Sequence, residues 1–236
     1  KMPFFVLGIN ATGALMSACI LKDGNIIAAS AEERFSRIKR DSSFPHNAIK
    51  FCLQDAGITF SQLDLISVGW NPAFYMDRNA NSVSQALKDK GLYLHYVVNE
   101  LGSAEYTDSI SHIEQNLLFK DGTKIPIEYT DHHLAHASYA FNSSGYDSAL
   151  VVVLDGYGEI HTGGIFKIDD KKHDVISTAK FPHSIGLFYS AITQYLGFRP
   201  NSDEWKVMAL ASSGNSENYK QQFSNMIKVG KDAFNG

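Results

Sequence analysis

Cysteine is nearly absent: Cys19 and Cys52 are the two in 236 residues, and their spacing pairs with nothing. That argues against a disulfide framework and for two free thiols in a reducing cytoplasm. Positive charge is not in excess either. With 21 Lys+Arg against 25 Asp+Glu the net charge is −4, so no global field draws nucleic acid or an anionic membrane to the chain. Long apolar runs are also missing. The run Ala149 to Leu154 has six residues, against the roughly 18 that a membrane span needs. The opening Lys1-Met2-Pro3-Phe4-Phe5 is too short before the first glycine for a secretory signal. What remains is a chain of about one and a half average domains, 44% apolar, with enough hydrophobic side chain for a buried core.

Periodicity reads the first third as strand, strand, strand, helix, strand. Phe4 to Ile9 is a short buried strand, and Ser17 to Leu21 and Ile26 to Ser30 flank Lys22-Asp23-Gly24-Asn25, the composition of a tight hairpin turn. After Pro45 apolar residues recur at helical spacing from Ala48 to Ala56 and stop at Gly57, and Leu63 to Trp70 returns as a strand. The stretch 71–124 loses periodicity and reads as a mostly helical insertion. Pro126 marks the strand Ile125 to Tyr129 as an edge or a strand start. A helix over Leu134 to Phe141 follows, then a buried strand Ala149 to Leu154, strands Gly164 to Ile168 and His173 to Thr178, and helices Ile185 to Leu196 and Glu217 to Val229. Strands alternating with helices mean α/β. Val6 to Asn10 leading into Ala18 to Leu21 resembles Val152 to Gly156 leading into Gly164 to Phe166, which suggests a duplicated fold with a cleft between lobes. The boundaries read as 1–145 for the first lobe and 146–236 for the start of a second, incomplete one.

Three clusters carry chemistry. Three of nine histidines fall in Asp131-His132-His133-Leu134-Ala135-His136. On a helix His132 and His136 share a face, with Cβ atoms about 5 to 6 Å apart, so that two imidazoles can hold one metal; the alternative is a pair of capping and packing histidines. His133 points elsewhere. Asp155, at the end of the most hydrophobic strand, is the best third ligand, since a carboxylate there is costly unless paired or metal-bound. Beside it Gly156-Tyr157-Gly158 allows close backbone approach and N–H contacts to phosphate, although such a turn is more often a plain hairpin. The second cluster, Glu32 to Arg40, packs Arg34, Arg37, Lys39 and Arg40 into seven positions and is either a solvated loop or an anion clamp. In the third, Ser202 to Ala211, Ser202 or Asp203 suits a helix N-cap and Lys206 either supports that helix or reaches a phosphate. A metallohydrolase reading of the HxxxH set fails for want of a Glu beside the first histidine.

EERFSRIK (Glu32 to Lys39), DHHLAHASYAF (Asp131 to Phe141), LVVVLDGYGE (Leu150 to Glu159), SIGLFYSAITQYLGF (Ser184 to Phe198) and EWKVMALA (Glu204 to Ala211) together resemble the NodU/CmcH family of O-carbamoyltransferases. The resemblance implies a fold like the actin, hexokinase and Hsp70 superfamily, with two ribonuclease-H-like lobes similar to Kae1. It implies a metal, Fe(II) or another divalent ion such as Zn, on His132, His136 and Asp155, touching a nucleotide phosphate; the residues themselves offer Gly156, Gly158 and Lys206 as candidates for that phosphate, and Arg37 and Lys39 as candidates for the carbamoyl or phosphate end. Its substrates are carbamoyl phosphate, ATP and a hydroxylated small-molecule or natural-product acceptor, joined through carbamoyl adenylate. A fourth acidic ligand and a C-terminal YrdC-like part belong to the family but not to these 236 residues, so the chain is expected to be the N-terminal part of a longer protein, inactive alone. The family's His-Asp-Ser before the second strand is replaced here by Ala14-Leu15-Met16. No catalytic base is therefore assigned, and the alternative to a transferase is a degenerate, nucleotide- and metal-binding relative.

Overall fold

The structure is a computed structural model that describes residues 2–12, 15–71, 115–170 and 172–227. It divides into two compact units, Lys1–Ala135 and His136–Gly236, earlier in the chain than the boundary at 145/146 read from the sequence.

The first unit is a six-stranded sheet with helix against it. Strands β1 (Phe5–Asn10), β2 (Ser17–Lys22) and β3 (Asn25–Ala31) form the expected antiparallel meander. Its hairpin turn has Asp23 at φ 51° and Gly24 at φ 82°, the paired positive dihedrals that match a two-residue turn to the twist of its strands. Helix α1 (Glu33–Ser36) is a single turn, and α2 (His46–Ala56) ends on Gly57 in the left-handed region. Strand β4 (Leu65–Val68) then pairs parallel with β1, placing Leu7 opposite Ile66. Strands β5 (Gln115–Leu118) and β6 (Lys124–Tyr129) complete the order β3-β2-β1-β4-β6-β5, with β6 parallel to β4 and β5 antiparallel on the outside. A meander extended by parallel strands is the α/β, ribonuclease-H-like arrangement anticipated above.

The core lies between the sheet and α2. Leu7, Ile20, Cys52 and Ile125 are fully buried, and Ala48 and Ile49 join Cys52 on the inward face of α2. Each large aliphatic side chain removed from water here contributes about 1.5–3 kcal/mol. Cys52 points its thiol at the carbonyls of Ala18 and Ala28 and is pushed up to about 11 by burial. Cys19 is raised by the same cause, and both thiols are free.

Two expectations for this unit need correction. Pro126 marks no edge: β6 lies between β4 and β5, and its pairing with β4 begins one residue later, at Ile127. The insertion expected over 71–124 falls largely outside the described residues, but its last part is strand rather than helix, because Gln115 to Leu118 pair with Ile127 to Lys124.

The second unit opens with its own antiparallel meander, β7 (Ser148–Leu154), β8 (His161–Asp169) and β9 (Lys172–Lys180), in the order β7-β8-β9. It repeats the plan of β1 to β3, as the internal similarity suggested. Strand β7 is less buried than its sequence implied. Side chains alternate, and Leu150, Val152 and Leu154 share a face that nothing covers among the described residues, leaving Val153 buried on the other. Helix α3 (His132–Ser144) precedes β7 and α4 (Ile185–Tyr195) and α5 (Glu204–Ala211) follow β9. Of the helix expected over Glu217 to Val229, the last two positions lie outside the described residues; the rest is a 3₁₀ turn, Ser216–Tyr219, started by the Asn215 side chain accepting from Glu217 N–H, and a short α6 (Lys220–Met226). No helix among the described residues is long and apolar enough to cross a membrane.

Candidate metal centre

Helix α3 begins at His132, two positions before the expected start, because Asp131 caps it: its Oδ1 accepts from Leu134 N–H at 2.7 Å. Both His132 and His136 are thereby helical and stand one turn apart on one face. The helix is continuous, so one rigid element sets the spacing of the two imidazoles. His133 projects away and is 1% exposed, its ring edge-on to that of His132 with centroids 5.5 Å apart.

His132 is held by the end of β4. Its Nδ1 donates to the Gly69 carbonyl at 3.3 Å, and its ring packs on the buried Trp70, with centroids 4.9 Å apart. A carbonyl only accepts, so in this contact Nδ1 carries the proton, the tautomer that a ligand on Nε2 requires. Orienting a metal-binding histidine through its other nitrogen is the usual arrangement. Trp70 went unremarked in the sequence, where it read as the end of a strand.

Asp155 follows β7 directly. Its Oδ2 lies 3.8 Å from His136 Nε2, and the turn behind it is closed by Asp155 N–H on Thr162 O at 3.2 Å and Gly158 N–H on His161 O at 2.7 Å. His132, His136 and Asp155 each offer a ligand atom, and these atoms lie within 4.8 Å of one another. Ligands bound about 2.1 Å from one ion stand about 3–3.5 Å apart, so small side-chain rotations close the set. Two imidazoles and a carboxylate suit Fe(II) or Zn over Mg, and three protein ligands leave positions for substrate or water. The residues present fit the implied ion.

The other candidate residues have plainer surroundings. The N–H groups of Gly156 and Gly158 donate within the turn, the first to Asp155 Oδ1 at 2.6 Å. A Cβ on Gly156 would meet Leu187 at 4.0 Å, an ordinary van der Waals contact. Lys206 pairs with Asp203 at 3.0 Å and lies over the Trp205 ring, and this pairing holds the Asp203 carboxyl below its usual range. Asp203 is the N-cap residue of α5, yet its side chain caps nothing; it accepts instead from Lys206 and from Arg199 N–H. Arg37 and Lys39 are exposed on the loop after α1, where Arg37 takes a left-handed backbone with φ 61° and Glu33 Oε2 accepts from Arg40 N–H. Asp41 ends that loop with its carboxyl lowered by the hydroxyl of Ser36 and by Ser43. The loop is thus braced by carboxylates, with its Arg37 and Lys39 side chains in solvent.

The family model described as Carbamoyltransferase N-terminus matches residues 6–234. The chain belongs to that family. Among relatives of this carbamoyltransferase N-terminal chain, an uncharacterized Synechocystis protein is 33% identical over 96% of the chain and 37% of its own length. The nodulation protein NolNO of Sinorhizobium fredii is 29% identical over 90% of the chain and 30% of its own length. The chain therefore spans about a third of the length of these curated relatives. Among solved structures, YeaZ from Pseudomonas aeruginosa covers 76% of the chain and is itself covered to 67%, at 13% identity and a TM-score of 0.40.

Proposed function

We propose that the chain supplies the carbamoyl-transfer part of an O-carbamoyltransferase whose acceptor is the hydroxyl of a small molecule or natural product. The carbamoyl donor is carbamoyl adenylate, formed from carbamoyl phosphate and ATP by a YrdC-like part outside this sequence. The observation that carries the reading is one chain in which the family match over residues 6–234 coincides with two imidazoles and a carboxylate gathered within 4.8 Å.

In transfer, the acceptor oxygen bonds to the carbamoyl carbon as that carbon's bond to the adenylate phosphate oxygen breaks, and AMP leaves with the electron pair. His132, with Nδ1–H fixed on Gly69 O, presents Nε2, and His136 and Asp155 complete the donor set. A divalent ion held there supplies Lewis-acid stabilisation of charge on a phosphate oxygen. In this reading Arg37 and Lys39, exposed on a braced loop, take the anionic end of the donor, Arg as a planar fork and Lys as a point charge. Lys206 reaches a phosphate only by leaving Asp203, and Gly156 N–H only by leaving the Asp155 carboxylate.

Among the described residues no side chain is assigned to take the acceptor proton, which in this step passes to solvent or to the departing phosphate. Ala14 lies outside the described residues, and Leu15, where the family resemblance places aspartate, is half exposed with φ 66°. That conformation costs a leucine about 1–2 kcal/mol and suits Asp or Asn better. Leu15 keeps a backbone that suits a short polar residue while lacking its chemistry, which favours as second reading a degenerate member that binds nucleotide and metal without transfer. Incubating the full-length protein with carbamoyl phosphate, ATP and a panel of hydroxylated acceptors separates the two. The first reading expects an acceptor gaining one carbamoyl group, with Arg37→Ala about tenfold or more weaker in donor use. The second expects no product until histidine and aspartate are restored at 14 and 15.

A further inference from the structure

A strand-end carboxylate is useful as a ligand only if its backbone stays in one place, and β7 leaves Asp155 at the start of a glycine-containing turn. The first turn of α4 holds it. Ser184 is the N-cap of α4, its Oγ accepting from Leu187 N–H at 3.0 Å. The same hydroxyl points its proton at two carbonyls of the turn, Gly156 O at 2.7 Å and Asp155 O at 3.1 Å. Gly186 N–H adds a bond to Asp155 O at 3.3 Å, and the two backbones approach so closely that a Cβ on Gly186 would stand 2.5 Å from that oxygen. One hydroxyl therefore starts a helix and fastens the Asp155 turn to it.

We infer that Ser184 is a positioning residue for Asp155: its hydroxyl couples the N-terminus of α4 to the turn that presents the carboxylate, and so sets the affinity of the His132, His136 and Asp155 set for a divalent ion. This rests on the metal reading above. Its signature is a division of labour within one side chain, since accepting from Leu187 N–H stabilises the helix whereas donating to Gly156 O and Asp155 O orders the turn.

Three substitutions in the full-length protein separate those roles. Ser184→Thr keeps both, Ser184→Asp keeps a good N-cap acceptor but has no proton to donate, and Ser184→Ala keeps neither. Zinc(II) titration by calorimetry is read beside amide hydrogen exchange of the Asp155 to Gly158 turn. The threonine variant is expected to bind zinc within about twofold of the natural protein, and the aspartate and alanine variants about 10–100-fold more weakly, the usual loss for an outer partner of a ligand. Turn amides exchange faster in the latter two, with the α4 amides protected in the aspartate variant. Natural zinc affinity in Ser184→Asp, with His136→Ala defective, overturns the positioning role and leaves the metal reading standing. Equal zinc binding by the natural protein and His136→Ala overturns both, and faster exchange would then report only a structural clamp.

Discussion

Removing the Glu32 carboxylate is expected to unlatch α2 from the sheet. Glu32 is 3% exposed and lies 15 residues before Asn47 in the first turn it serves, accepting from Asn47 Nδ2 at 2.6 Å, Ala48 N–H at 2.9 Å and Asn47 N–H at 3.3 Å. Pro45, the N-cap residue, has no side-chain acceptor, so the distant carboxylate satisfies donors that every helix leaves open at its first turn. Hydrogen bonds to a charged group contribute about 1.5–3 kcal/mol each, and an N–H left buried without an acceptor costs about 1–3 kcal/mol. Allowing for partial hydration of the exposed first turn, Glu32→Ala should cost about 3–5 kcal/mol, and Glu32→Gln, which keeps an accepting oxygen but loses the charge, about 1–2 kcal/mol. Two units make global unfolding an uncertain two-state process, so the assay is native-state hydrogen exchange at the Asn47 and Ala48 amides, supported by urea unfolding. A Glu32→Ala protein with unaltered protection there and less than about 1 kcal/mol of lost stability would refute the capping argument.

Other perturbations follow from single observations. Gly186→Ala places a Cβ 2.5 Å from Asp155 O and 2.6 Å from Gly156 N, both backbone atoms, so it should destabilise the turn by about 1–3 kcal/mol and weaken zinc binding, measured by unfolding and calorimetry on the same sample. Leu15→Asn relieves a left-handed leucine and should stabilise by about 1 kcal/mol in urea, whatever it does to activity. With Cys52 pushed up to about 11 and Cys19 also raised, native alkylation at pH 8 should be slow, the Cys52 thiolate fraction being about one in a thousand, and should become fast on unfolding. Asp41 is depressed from its ordinary 3.8, so its contribution to stability is present above that pH and is lost as pH falls through the lower folded value; Asp41→Asn should flatten that part of the acid unfolding curve.

Local rules carried much of the fold. The Asp23-Gly24 hairpin, the Gly57 stop of α2 and the two meanders were legible because turn chemistry and period-2 alternation act over a few residues. Pairing across the sheet was not: Pro126 sits inside the sheet because β5 pairs outside it, which neither strand's own sequence announces. The exposed face of β7 misled in the same way, since a run of Val and Leu says that a strand is apolar but not what covers it. At the site, His132 and His136 were readable from helical spacing and Asp155 from its strand end. Ser184, Gly186, Trp70 and the Gly69 carbonyl were not, because their roles come from approaches between segments distant in sequence. A serine directly before the apolar helix over Ile185 to Leu196 was the one available signal, an N-cap residue type in an N-cap position.

The central claim is that His132, His136 and Asp155 form a metal centre, and metal content tests it most directly. Elemental analysis of the anaerobically purified full-length protein, beside His136→Ala and Asp155→Ala, should give about one iron or zinc per chain in the natural protein and little in either variant. Equal metal in all three, or none in the natural protein after reconstitution, would contradict the account.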